Sequence, residues 1–165
     1  MERIKQNKQT IHTALMGFIV SSSALDMMKK KVMYDADTLK LMKLDAEYMK
    51  VLNMFKNDEY LDKISEDEKL SKLFHYIIGC ITEQNELVTA LVNATLSGKI
   101  DTVNFGEEIS DSFWYEARLC DILGLDGDSL RQKNIDKLKA RFPDKFTEHS
   151  ANNRDLQTER QILES

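Results

Sequence analysis

Residues 79–91 read GCITEQNELVTAL, and the register of this stretch decides how the chain folds. It contains no proline, and with its neighbours it places Phe74, Ile77, Ile78, Ile81, Val88 and Val92 along one face of an α-helix. Glu83 and Glu86 fall roughly opposite, on the side that carries Gly79 and Ala90. Three residues are close to one turn, so the two carboxylates point the same way and repel unless something positive lies between them. Taken alone, this is a solvated face; with a second pair of acids it becomes a place for a metal ion.

Working outward, the composition favours helices throughout. The 165 residues include one proline and six glycines, too few breakers for a set of short strands, while Leu, Lys, Met, Glu and Asp are abundant. A formal charge of −5, with no basic cluster longer than Lys29 to Lys31, argues against nucleic acid as a partner. Cys80 and Cys120 have no paired CxxC spacing and read as reduced, buried thiols. The longest apolar run, ALMGFIV, falls far short of the roughly 20 residues of a membrane span. Met-Glu-Arg opens no signal pattern, so a cytoplasmic chain is expected, with no membrane partner.

Caps and periodicity predict an all-α bundle of about five helices with a polar arm. The first helix spans about Lys8 to Tyr34, and the second spans Thr38 to about Phe55. The polar KNDEYLDKISEDE is the main boundary, in which Ser65 and Glu68 fit a capping box for a third helix ending at Gly98. A fourth follows GKIDTVN and runs to Gly124, and a fifth, capped by Asp128, runs from Ser129 to Arg141 before Pro143 stops it. Residues 1–56 thus read as an N-terminal helical pair, 65–142 as the core and 143–165 as an irregular or short-helical arm.

An internal similarity links the first and third helices. GFIVSSSAL, Gly17 to Leu25, aligns with GCITEQNEL at an offset of 62, and DTL at Asp37 matches DTV at Asp101 at an offset of 64. Ser21 and Ala24 stand where the later copy has Glu83 and Glu86. The N-terminal pair then reads as a degenerate repeat without a site of its own.

The fourth helix turns the first two acids into a candidate site. Glu108 and Asp111 are again three apart, on a stripe continued by Tyr115, Leu119 and Ile122, with Arg118 only at its border. Acids on an apolar stripe are costly unless paired or metal-bound. ExxE and ExxD on consecutive helices can converge into an oxygen cage, whose hard ligands select Mg²⁺, or Mn²⁺, over zinc. None of His12, His75 and His149 lies three after a glutamate, which removes a di-iron site. No GxxxxGK[ST], GxSxG or HExxH motif is present. On the fifth helix, Asn134, Lys137 and Arg141 share one face, an amide and two cations suited to a phosphate-rich substrate.

This ordered set resembles a family. Glu83-x-x-Glu86, a gap of 21 residues, Glu108-x-x-Asp111 followed by FWY, then LG and NIDKLKARFPDKF, resemble the all-α MazG-like nucleoside triphosphate pyrophosphohydrolases. The ending FTEHSANNRDLQTERQILE is similar to the tail of their phage-encoded branch, which would place the chain in a host cytoplasm. The resemblance covers about Lys69 to Glu164. It implies that Glu83, Glu86, Glu108 and Asp111 bind Mg²⁺ and that Asn134 and Lys137 contact the nucleotide; Arg141 extends that set along its face. It implies cleavage of a (d)NTP between the α and β phosphates, with Glu83 or Glu107 as the base, in a homodimer or dimer of dimers.

Two departures stand out. Gln84 and Asn85 replace the small residues usual between the first acids, and Ser110 replaces a glycine. They motivate the rival reading, a catalytically weak or inactive scaffold or nucleotide-binding protein of the same fold.

Overall fold

The computed structural model describes the backbone of residues 2–34 and 58–165, with side chains from residue 4 except at 20 and 23–34. Every regular element among them is helical: α1 (Glu2–Gln6), α2 (Lys8–Tyr34), α3 (Glu59–Glu66), α4 (Glu68–Ser97), α5 (Thr102–Leu123), α6 (Gly127–Arg141), α7 (Glu148–Asn152) and α8 (Leu156–Glu164). The all-α class is what low proline and glycine content predict. The helix expected over 38–55 lies outside the described residues, as does Asp37 of the repeat. No described helix is long and apolar enough to cross a membrane.

The boundaries follow local chemistry, with four corrections, one being that α6 begins at Gly127, so that Asp128 lies in its first turn and does not cap it. The polar boundary segment is itself helix α3, whose Leu61 is fully buried. Ser65 therefore belongs to α3, and Asp67 is the residue that caps α4, accepting from the Leu70 amide at 2.9 Å. The α5 helix starts earlier than expected because Asp101 accepts from the amides of Val103 and Asn104 at 3.1 and 3.2 Å. Gly98 and Gly124 close α4 and α5 with φ of 68° and 67°, the left-handed region that disfavours a side chain.

The chain forms two compact units whose boundary falls within α3: residues 1–62 with 129–165, and residues 63–128. The division read from sequence at 65 and 142 cuts across them. In the first unit, Lys8 of α2 reaches Asp62 at 2.7 Å and Asp58 at 3.5 Å, and the His12 and Tyr60 rings lie 5.8 Å apart. The second unit is the antiparallel hairpin α4–α5 that carries the acids.

The hairpin packs on an unexpected side. The face of α4 predicted as core is only partly covered: Ile77, Val88 and Val92 are exposed by about half, Phe74, Ile78 and Ile81 are half-buried, and the residues buried on α4 are Gly79, Glu83 and Ala90. On α5 the buried residues are Glu108 and Ser112. Small and polar residues line the seam because the two helices approach too closely there for branched side chains.

Candidate metal centre

Gly79 sets that close approach. The Tyr115 ring of α5 lies against its backbone, in the space that any Cβ at 79 would occupy. One turn along α4, Glu83 enters the seam with 9% of its surface exposed, opposite Glu108 at 6%. Oxygens of Glu83, Glu108 and Asp111 all lie within 4.8 Å of one another, with Asp111 on the exposed side. Glu86 is exposed and stands beside Glu108, whose charge and hydrogen bond raise its carboxyl above the usual range. The same crowding acts on Glu83, where burial, then Asp111 and Glu108, push the carboxyl up. All four sequence-predicted acids are therefore neighbours.

The polar groups around them fix their positions without neutralising them. Asn104 Nδ2 donates to Glu108 Oε1 at 2.7 Å, and Thr82 Oγ1 approaches Glu83 Oε1 at 3.4 Å while bonding the Gly79 carbonyl at 2.7 Å. Among the described residues, no lysine, arginine or histidine pairs with any of the four acids. The donor set is thus all carboxylate oxygen. Hard carboxylate oxygens gathered this closely are the ligand type that Mg²⁺ takes. The residues present fit such an ion.

The departures at 84 and 85 do not obstruct the seam. Gln84 is exposed and its Nε2 donates to Ser112 Oγ at 3.1 Å, tying the hairpin across, while Asn85 and Ser110 are also exposed. Glu107 is exposed and outside the group of three acids. His75, read as a surface or interface residue, is exposed, its ring 5.1 Å from Tyr76 and 6.3 Å from Tyr115.

The predicted substrate residues lie on α6, in the other unit. Asn134 is exposed and Lys137 half-buried. Arg141 is engaged: its Nε and Nη2 each donate to Glu159 at 2.7 Å. Sequence reasoning missed this partner, and Arg154 with it, because a polar tail gives no periodic signal; the Asp155 cap of α8 was the available clue. It also missed Asn104, which a helix places one turn before Glu108. No protein-family model, curated protein or solved structure matches the chain.

Proposed function

We propose that the chain is a Mg²⁺-dependent nucleotide pyrophosphohydrolase of the MazG-like kind, cleaving a nucleoside triphosphate between its α and β phosphates. The observation that carries this reading is the cluster of carboxylates, two of them buried, that no cation pairs with among the described residues. Acids so placed lower the stability of the fold unless a ligand neutralises them, so packing does not account for them and a bound cation does. When bound, Mg²⁺ or Mn²⁺ supplies neutralisation of phosphate oxygens and acidification of water. Glu83, Glu86, Glu108 and Asp111 hold it, Asn104 orients Glu108, and Thr82 steadies Glu83. Of the two candidate bases, Glu83 faces the other acids and Glu107 does not, which favours Glu83 as proton acceptor. Asn134 and Lys137 of α6, with Arg141, supply amide and cationic contacts to the phosphates.

A homodimer, or a dimer of dimers, completes the reading. Val88, Leu91, Val92 and Leu96 of α4 and Val103, Ile109, Phe113 and Trp114 of α5 are all exposed, more apolar surface than a lone hairpin keeps in water. A second copy covering that face supplies the missing burial.

The test is chromatographic detection of nucleoside monophosphate and pyrophosphate from a panel of dNTPs and NTPs, with Mg²⁺ or with EDTA. Metal-dependent release is expected, lost in Glu86→Ala and Asp111→Ala while helical circular dichroism persists. Folded protein that releases nothing across the panel overturns the enzyme reading in favour of a scaffold.

A further inference from the structure

The last helix of the chain supplies the anion for an arginine pair. Arg141 closes α6 and grips both oxygens of Glu159, while Arg154 donates Nη2 to the same carboxylate at 2.5 Å and Nε at 3.4 Å. Glu159 is 5% exposed, yet the side chain of Arg154 remains 46% open. Two guanidinium groups on one carboxylate leave one unbalanced positive charge. The flat, two-pronged grip is the one arginine uses on phosphate oxygens. On α6, Lys133 donates to the Leu163 carbonyl at 3.2 Å, so α8 is held at both ends by basic residues of that helix. Lys137, between them, makes no ion pair among the described residues.

Little else holds α8 in place. A nine-residue helix is not stable by itself in water. Its Leu156 and Leu163 are 63% and 39% exposed, which leaves half-buried Ile162 as its one apolar anchor. Its attachment is mainly ionic and can be exchanged for another anion of matching shape.

We propose that Arg141 and Arg154 form a binding site for phosphate oxyanions of a polyphosphate chain, and that Glu159 on α8 is a built-in competitor which must leave for the anion to bind. As regulation of the triphosphate contacts on α6, this rests on the proposed function. The site itself requires neither metal nor turnover.

The test is calorimetric titration of tripolyphosphate, in EDTA, into the wild-type chain, Glu159→Gln and a chain ending at Asp155. Both altered chains bind about tenfold more tightly, or about 1.4 kcal/mol. The gain disappears in Glu159→Gln/Arg154→Gln. Glu164→Gln, which removes an equal charge from an exposed pair with Arg160, leaves affinity within about twofold of wild type. Unchanged or weaker binding in both helical altered chains, or an equal gain in Glu164→Gln, overturns the competitor. If Glu159→Gln fails to fold, the truncated chain decides. Failure of the pyrophosphohydrolase reading shows separately, in the Mg²⁺ assay, without altering this titration.

Discussion

Replacing Glu83 with glutamine separates the cost of the acidic seam from its use. The substitution keeps shape and removes one charge from a group whose oxygens lie within 4.8 Å of those of Glu108 and Asp111. At that separation one pair of unit charges repels by about 0.9 kcal/mol at the dielectric of water and about 3.5 kcal/mol at an effective value of 20. Glu83 and Glu108 are mostly buried, so we take about 1–3 kcal/mol, which for a chain of this size raises the unfolding midpoint by roughly 3–10 °C. Without metal, Glu83→Gln is therefore more stable than wild type. With Mg²⁺ the order narrows or reverses: a cation at a hundred times its dissociation constant stabilises wild type by about 2.7 kcal/mol and the variant by much less. Thermal unfolding by circular dichroism, in EDTA and across a Mg²⁺ series, reads both effects. A lower midpoint in EDTA would refute the crowding argument, and an undiminished Mg²⁺ shift would remove Glu83 from the ligands.

Gly79→Ala drives a methyl group into the Tyr115 ring and costs about 1–3 kcal/mol of stability by overpacking; chemical denaturation should show the cost reduced in a Tyr115→Ala background, because the two positions share one space. Glu159 is held down to about 2 from 4.5, chiefly by the hydrogen bonds of Arg154 and Arg141. Its folded value is depressed, so the contribution is whole above pH 4.5 and is lost as pH falls through about 2; it amounts to at most about 3 kcal/mol, less for the screening that half-exposed Arg154 admits. Acid unfolding of Glu159→Gln should lack that portion of the slope. Val88→Lys/Val92→Lys charges the open face of α4 and should turn a dimer into a monomer by sedimentation velocity, whereas an unchanged sedimentation coefficient would place the interface elsewhere.

What could be read from the sequence was whatever one helix determines alone. The span of α2, the left-handed closures at Gly98 and Gly124 and the same-side placement of Glu83 with Glu86 all follow from 3.6-residue periodicity and terminal chemistry. The failures involve a second element. Asp67 rather than Ser65 caps α4 because α3 extends through Ser65, and a strongly polar segment hides that helix unless its Leu61 and Ile64 are weighed by spacing. Which face of α4 meets α5 depends on how closely the backbones approach. That approach is set by a glycine against a tyrosine 36 positions later, a pairing with no local signature. Glu159 and Arg141, 18 residues apart across two turns and a short helix, are the same kind of case.

The inverted packing also ties stability to function more closely than either acids or apolar residues do alone. Among the described residues the only buried apolar side chains are Leu61 and Ala90, while Glu83, Glu108 and Glu159 are buried as acids. A fold arranged for its own stability would turn Ile77, Val88 and Val92 inward, where each fully buried side chain is worth about 1.5–3 kcal/mol, and would leave the glutamates in water. Rotating α4 by about half a turn would achieve this. That rotation would take the bare backbone of Gly79 away from the Tyr115 ring that packs on it, and it would separate Glu83 from Glu108. The seam observed therefore sacrifices apolar burial within the hairpin and gathers charge; the cation proposed between the carboxylates and the second copy proposed over the exposed face would each restore stability. Stability should then rise with Mg²⁺ and with protein concentration in separate steps. Val88→Lys/Val92→Lys would remove the concentration step and spare the metal step, and Glu83→Gln would do the reverse. If either substitution removed both steps, the two ligands would be acting at one place, and the division of the hairpin into an acidic inner seam and an apolar outer face would be wrong.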